Sequence, residues 1–99
     1  MVHHIVMWKL HPKAEGHTKT ENAQIIKEML EDLQGKIDCI CALRAGINEN
    51  GGDYDVILVT EFQSKTDLQA YDIHPLHQQV KTYIQKAAAS RACVDFTDE

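Results

Sequence analysis

Apolar residues recur at every second position along four stretches of the chain, and this period of two is typical of β-strands. The four predicted strands are residues 2–10, 37–47, 54–62 and 91–96. Both alternating sets of the first stretch are largely apolar: Val6 and Trp8 belong to one set, and Ile5 and Met7 to the other. A strand of this kind has no face suited to water, so we expect both faces of its sheet to be covered.

The first predicted helix follows the first strand after a short loop at residues 12–17. Thr18 and Glu21 have the spacing of a capping box, with Thr20 as an alternative cap. Apolar residues then return every three or four positions to about Leu33, which predicts an amphipathic helix. Gly35 is a plausible C-cap for this helix.

Two further helices are predicted on either side of a proline. Residues 64–67 form a second candidate capping box and open a short helix that ends at Tyr71. Pro75 lacks an N–H and disfavours the helical conformation at His74, so the chain breaks there and a new helix begins. An apolar stripe extends this last helix to about Ala89.

The predicted order β-α-β-β-α-α-β favours an α+β, ferredoxin-like domain that spans residues 1–99, with an antiparallel sheet and its helices on one face. Helices on one face leave the other apolar face of the sheet exposed, which monomeric proteins rarely tolerate. We therefore expect a homodimer in which two sheets face each other across a shared core.

Composition narrows the expected partners and location. The net charge of −5 does not supply the basic face that nucleic-acid binding requires. No apolar run approaches the ~20 residues of a membrane span, and the N-terminus lacks a signal-peptide pattern. Three cysteines without a zinc or redox spacing are expected to be reduced, core or near-core residues of a cytoplasmic protein.

Candidate chemistry is concentrated around the proline break, where Tyr71, His74 and His77 lie within seven residues. His4 on the first strand can join them if it faces the same side of the sheet. An imidazole can transfer a proton near neutral pH, and a phenol can donate to a developing enolate oxygen. The alternative is structural: His4 and His77 are hydrogen-bonded core residues, and Tyr71 anchors the helix.

Metal and cofactor sites are not predicted. Adjacent residues His3 and His4 point to opposite faces of a strand, and His74 and His77 lie on either side of a helix start without a recognised zinc spacing. Aromatic residues at strand spacing, such as Trp8 and Phe62, are expected to pack in the core rather than bind a haem or flavin.

The chain resembles the stress-responsive dimeric α/β-barrel (Dabb) family in its first strand, its Tyr54-to-Phe62 strand, and its Tyr-x-x-His-Pro-x-His segment. The resemblance covers essentially the whole chain and implies a ferredoxin-like protomer and a homodimeric barrel. A plant polyketide cyclase of this family uses a strand-one histidine and a tyrosine and histidine at the break, which match His4, Tyr71 and His77. Val56 stands where that cyclase has a further histidine.

We expect a domain of the stress-response type that binds a small apolar or carbonyl-bearing molecule between sheet and helices. The predicted polar or catalytic contacts are His4, Tyr71 and His77, and the predicted pocket residues are Val6, Trp8, Val56, Leu58 and His74. Two alternatives remain: a cofactor-independent lyase or cyclase that acts on a polyketide-like carbonyl substrate, and a structural dimer without ligand.

Overall fold

The computed structural model describes residues 1–98, so Glu99, the last residue of the predicted domain, lies outside the described residues. Within residues 1–98 the chain forms six strands and three helices. Their bounds are β1 Val2–Leu10, β2 Lys13–Ala14, β3 His17–Thr18, α1 Lys19–Glu31, β4 Ala42–Ile47, β5 Val56–Phe62, α2 Lys65–Ile73, α3 Pro75–Ala87 and β6 Ala88–Thr97. The predicted element order is confirmed, with the addition of the small β2–β3 hairpin in the predicted loop.

The main sheet has the order β4-β5-β1-β6, and all its neighbouring strands are antiparallel. This is the strand order of a ferredoxin-like α+β domain, as predicted. The central strand β1 pairs with β5 on one side and with the C-terminal strand β6 on the other. The register places His4 opposite Asp95 and Val6 opposite Cys93, a pairing that builds the candidate site described below.

Local chemistry explains where the helices begin. The Thr18 hydroxyl accepts the Glu21 N–H, while the Glu21 carboxylate accepts the Thr18 N–H, so the predicted capping box starts α1. Ser64 caps α2 by accepting the Asp67 N–H. The C-cap of α1 is Asp32 and not the predicted Gly35. Gly35 lies in the turn that follows the helix, with φ +86°.

The prediction of a strand over residues 37–47 is wrong in its first half. Residues 37–41 form turns, and β4 begins only at Ala42. Ile37 and Ile40 are buried three positions apart, so both pack into the core from a turn, where an alternating strand would have put them on opposite faces. The apolar residues of this stretch are explained by packing into the core from a turn, and not by membership of a β-strand.

Two of the three cysteines differ from the prediction of core or near-core packing. Cys39 is half-buried, but Cys41 and Cys93 are exposed. Cys41 precedes β4 and Cys93 lies on β6, and these are the two edge strands of the sheet. Both side chains are therefore less covered by neighbouring elements than residues of the central strands.

The two faces of the sheet have different surroundings. The helices cover the face that carries Val6, Trp8, Leu58 and Phe62, and these side chains form the core. On the other face Val94 and Phe96 of β6 are 60% and 46% exposed. This is the face of the sheet that we expected from the sequence to be covered by a second copy of the chain.

Candidate functional site

His74 is the residue that separates α2 from α3. Its backbone is extended, with φ −62° and ψ 135°, as expected before Pro75. Its Nδ1 accepts the Leu76 N–H at 3.1 Å, so His74 is the N-cap of α3. The break therefore turns the chain sharply and brings Tyr71, in the last turns of α2, against His77, in the first turns of α3.

Tyr71 and His77 form a buried stack at this turn. Their ring centroids are 4.0 Å apart and their planes differ by 20°. Phe62 lies against Tyr71 at 5.1 Å, and His4 approaches it edge-on at 6.2 Å. The structure thus brings the three predicted polar residues His4, Tyr71 and His77 into one cluster.

The Tyr71 side chain is fully enclosed, and its hydroxyl has no hydrogen-bond partner among the described residues. Burial raises the pKa of this phenol well above its usual range, and the Asp72 charge acts in the same direction. Tyr71 is therefore a neutral phenol that contacts the site through its ring, which stacks on His77.

His77 is held as a neutral imidazole. Its Nδ1 lies 3.1 Å from the Tyr71 carbonyl oxygen, and since a carbonyl only accepts, Nδ1 carries the hydrogen and Nε2 keeps a lone pair. Burial lowers the pKa of His77 to about 4, and the nearby Lys81 charge contributes to the same shift. At neutral pH the ring offers an acceptor or a weak base.

His4 has a different environment, because it faces two side chains of β6. Its Nδ1 donates to Asp95 Oδ1 at 2.5 Å and lies 3.7 Å from Cys93 Sγ. Burial raises the pKa of the Cys93 thiol, with the Asp95 carboxylate as a further cause. Neither β6 residue was predicted as part of the site; the signal was the pairing of the first and last strands, with Cys93 and Asp95 two positions apart.

A cavity of about 300 Å³ lies between the sheet and α3, next to this cluster. Its walls combine apolar core residues with imidazoles and charged groups. The lining residues that bear on function are Val6, Trp8, Leu58, Ile84, His4, His77, Lys81, Asp72, Gln85 and Arg91. A wider groove of about 780 Å³, between α2 and β6, shares His4, Asp72 and Arg91 with it, so the two spaces adjoin.

Three of the five predicted pocket residues, Val6, Trp8 and Leu58, line the smaller cavity. Val56 instead borders a separate depression of about 220 Å³ near Tyr54, and His74 is occupied in capping α3. The sequence did not point to Lys81 or Arg91, whose charges reach the cavity from α3 and β6.

The charges at the cavity are partly paired. Lys81 Nζ lies 2.5 Å from Asp72 Oδ1, and this contact lowers the pKa of the Asp72 carboxyl. Arg91 forms no ion pair with a carboxylate among residues 1–98 and remains available to an oxygen-bearing ligand. The polar end of the cavity can therefore receive a carbonyl or carboxylate oxygen.

These features define a ferredoxin-like α+β domain with a cavity between its sheet and its last helix. The chain belongs to the stress responsive A/B barrel domain family, which matches residues 2–98. The resemblance noted from the sequence is thereby confirmed. No curated protein matches the chain.

Solved structures of similar fold agree with this assignment. A dimeric protein of unknown function and ferredoxin-like fold from Bacteroides fragilis NCTC 9343 is 32% identical, with a TM-score of 0.85 over 98% of this chain and 95% of that chain. A dimeric ferredoxin-like protein of unknown function from Thermobifida fusca is 21% identical, with a TM-score of 0.82 over 98% and 90%. Hydroxynitrile lyase from Passiflora edulis is 12% identical, with a TM-score of 0.78 over 99% and 93%, which shows a shared fold alone.

Among the described residues, none of the helices has the length and apolar character needed to cross a bilayer.

Proposed function

We propose that this protein is a homodimeric domain that binds a small, largely apolar, carbonyl-bearing molecule in the cavity between sheet and α3. The observation that carries the proposal is the division of the cavity wall. Val6, Trp8, Leu58 and Ile84 supply an apolar lining, while histidines and cations are gathered at one end. Concave, mostly apolar sites with a few convergent polar groups are the usual design for small organic ligands.

The polar end suits an oxygen-bearing group. Arg91 can donate to a carbonyl or carboxylate oxygen, and the neutral His77 can accept from a hydroxyl through Nε2. Tyr71 holds the His77 ring in place by stacking and does not itself line the cavity. The roles proposed for His4 and His77 are direct contacts, and the role proposed for Tyr71 is positioning.

A second large depression, of about 650 Å³, lies beside the start of α1 and is a weaker candidate. It is bordered by polar residues of that helix start, such as Thr20 and Glu21, and by the apolar residues Ile25 and Ile47, and its lining includes no buried histidine or tyrosine. It therefore lacks the buried imidazole that the cavity beside α3 offers to an oxygen-bearing ligand.

The homodimer follows from the open sheet face. Exposed Val94 lies opposite half-buried Ile5, and exposed Phe96 stacks on the ring of His3, so large side chains of β1 and β6 together form a partly exposed surface. The related proteins from Bacteroides fragilis and Thermobifida fusca are described as dimeric. A second copy packed sheet to sheet covers this surface and closes an α/β barrel, while the cavity lies on the opposite face of the sheet, against α3.

Other partners and the location follow from charge and thiol state. The acidic balance of −5 gives no basis for a nucleic-acid partner. Cys39, Cys41 and Cys93 are all free thiols, which fits a reducing cytoplasm.

The binding proposal is tested with hexanophenone, a ketone with an apolar body and one carbonyl oxygen. We expect titration to shift the amide NMR signals of Leu58, His77 and Arg91. The variant Gln85→Trp places a large ring at the cavity mouth from an exposed position and should abolish these shifts. Gln79→Trp, an equally exposed position of α3 outside the cavity, is the matched control and should bind normally.

Two results count against binding at this site. Signals that do not move at saturating ketone support the ligand-free structural dimer. Shifts confined to the α1 depression, around Lys19 and Asn48, place the ligand elsewhere.

A second candidate function is a lyase or cyclase, and the His4–Asp95 contact favours it. A histidine whose Nδ1 is fixed by a carboxylate presents Nε2 as a general base, the arrangement that orients catalytic histidines in many enzymes. Such a base near a bound ketone would remove a proton from the carbon next to the carbonyl.

Proton removal is measured as exchange of the α-protons of hexanophenone in deuterium oxide. If the lyase or cyclase candidate is correct, the protein accelerates this exchange above the buffer rate, and Asp95→Asn lowers the rate about tenfold or more. An exchange rate equal to that of buffer, with binding intact, leaves the protein a binder.

A further inference from the structure

Three side chains of different chemistry meet on the helix-facing side of the edge formed by β1 and β6. They are His4, Cys93 and Asp95, and each offers one ligand atom within 4.8 Å of the others. Antiparallel pairing places Asp95 directly opposite His4, and Cys93 lies two residues away on the same face of β6. The grouping is therefore fixed by strand register rather than by a flexible loop.

The distances in this group are close to those around a tetrahedral ion. Cys93 Sγ lies 3.7 Å from His4 Nδ1 and 3.6 Å from Asp95 Oδ1. Zinc bonds of about 2.3 Å to sulfur and about 2.0 Å to nitrogen or oxygen give tetrahedral edges of about 3.5 Å for both pairs. Two of the three edges are thus already formed.

The third distance, between His4 Nδ1 and Asp95 Oδ1, must increase before an ion can bind. His4 Nδ1 and Asp95 Oδ1 are 2.5 Å apart in a hydrogen bond, whereas a zinc-bound pair is about 3.3 Å apart. Asp95 is exposed and sits near the end of the edge strand, so a rotation of its side chain can supply this change. The metal then replaces the hydrogen that the two atoms now share.

We propose that His4, Cys93 and Asp95 bind Zn²⁺ as three protein ligands, with the fourth position open to the groove between α2 and β6. All three residues line that groove, so water or an oxygen of a small molecule can reach the ion. Imidazole, thiolate and carboxylate are all zinc ligands, and three protein ligands with one open position is the pattern of zinc sites that act on a ligand.

The surrounding charges are compatible with a divalent cation. A Cys93 thiolate and the Asp95 carboxylate together balance the charge of Zn²⁺, and the Asp72 carboxylate borders the same groove. Arg91 and Lys65 also line the groove and oppose a cation. Metal binding must displace protons from the thiol, so affinity should rise with pH.

The zinc site shares His4 with the ketone cavity proposed above, whereas Cys93 and Asp95 do not line that cavity, so variants of these two residues test the zinc site separately. The three side chains lie on the face of the sheet opposite Val94, and therefore opposite the open face that we propose pairs with a second copy.

Cobalt(II) is the probe, because its spectrum reports both coordination number and thiolate ligation. Titration of the chelator-treated protein should saturate at one Co²⁺ per protomer, with intense visible bands of a tetrahedral ion and a thiolate-to-cobalt charge-transfer band. Zn²⁺ should displace the cobalt and bleach both, as its higher position in the affinity order requires.

Variants assign the ligands. Cys93→Ser should remove the charge-transfer band and weaken cobalt binding about tenfold or more, and Asp95→Ala should weaken binding while the band remains. Cys41→Ser, a second exposed cysteine outside the cluster, is the matched control and should leave the titration unchanged. The proposal is overturned by an octahedral, unsaturable spectrum, or by a charge-transfer band that survives in Cys93→Ser.

Discussion

His77 shows how burial sets the chemistry of a single side chain. Its ring is packed on Tyr71 and fixed by the Tyr71 carbonyl, so the protonated form loses hydration that the protein does not replace. The pKa falls to about 4, against about 6.5 in an unfolded chain. The unfolded state therefore takes up this proton first, and His77 lowers stability as the pH falls between these two values.

We expect His77→Asn to lose less stability than the wild type on acidification, because asparagine keeps an N–H donor for the Tyr71 carbonyl but cannot be protonated. Between about pH 7 and about pH 4, the wild type should lose about 2 kcal/mol more unfolding free energy than the variant. This value is smaller than the full pKa shift implies, because water in the adjacent cavity screens the imidazolium charge. Urea unfolding at a series of pH values measures it. His11→Gln, at an exposed histidine, is the control, and an equal effect in both variants would contradict the burial of His77.

Tyr71 carries a large buried ring and a hydroxyl without a partner among the described residues. Two substitutions should distinguish the contribution of the ring to stability from that of the hydroxyl. Tyr71→Phe removes only the hydroxyl and should raise the free energy of unfolding by about 1 kcal/mol, because a desolvated polar group is lost. Tyr71→Ala should lower it by about 3–5 kcal/mol. Denaturant titration decides; a Tyr71→Phe variant that is clearly destabilised would show that the hydroxyl has a partner.

The candidate site was partly predictable from individual residues. The phenol, the two imidazoles and the proline break were visible because these residue types have distinctive chemistry at short spacing. Asp95 and Cys93 were not found, since they join His4 only through the register of strands at opposite ends of the sequence. The enclosure of the Tyr71 hydroxyl depends on how α2 and Phe62 pack, which no local pattern encodes.

At the scale of elements, the start of α1 offers a direct comparison between two neighbouring threonines. Thr18→Ala should cost about 1 kcal/mol, because the Thr18 hydroxyl caps the Glu21 N–H in a capping box. Thr20→Ala should change stability by much less, since Thr20 is exposed inside the first turn. Thermal unfolding of both variants tests this, and equal losses would contradict the assigned cap.

Element prediction succeeded where a local signal marks both the type and the start of an element. β1 has its predicted bounds of Val2–Leu10, and all three helices begin at their predicted caps or proline. It failed at residues 37–41, where isoleucines and cysteines imitate a strand. The turn after α1 buries Ile37 and Ile40 instead, and only the tertiary position of the sheet edge distinguishes the two outcomes.

At the scale of the whole molecule, the open sheet face is the surface through which we propose that two copies pair. Val94→Lys places a charge on this face and should convert the proposed dimer into a monomer, because an unpaired charge cannot be buried between two sheets. Ile73→Lys is the matched control: Ile73 is 72% exposed, but it lies on α2, on the helix side. Light scattering after size exclusion measures both masses, and two unchanged dimers would exclude this interface.

The central claim is that a dimer of this chain holds one small carbonyl-bearing molecule per protomer beside His77. Native mass spectrometry of the protein with hexanophenone tests it most directly, since assembly and occupancy are weighed together. We expect a dimer that carries up to two ketone molecules, and a Gln85→Trp dimer that carries none. A monomer, a dimer without ketone, or a Gln85→Trp dimer with the same occupancy as the wild type would contradict the claim.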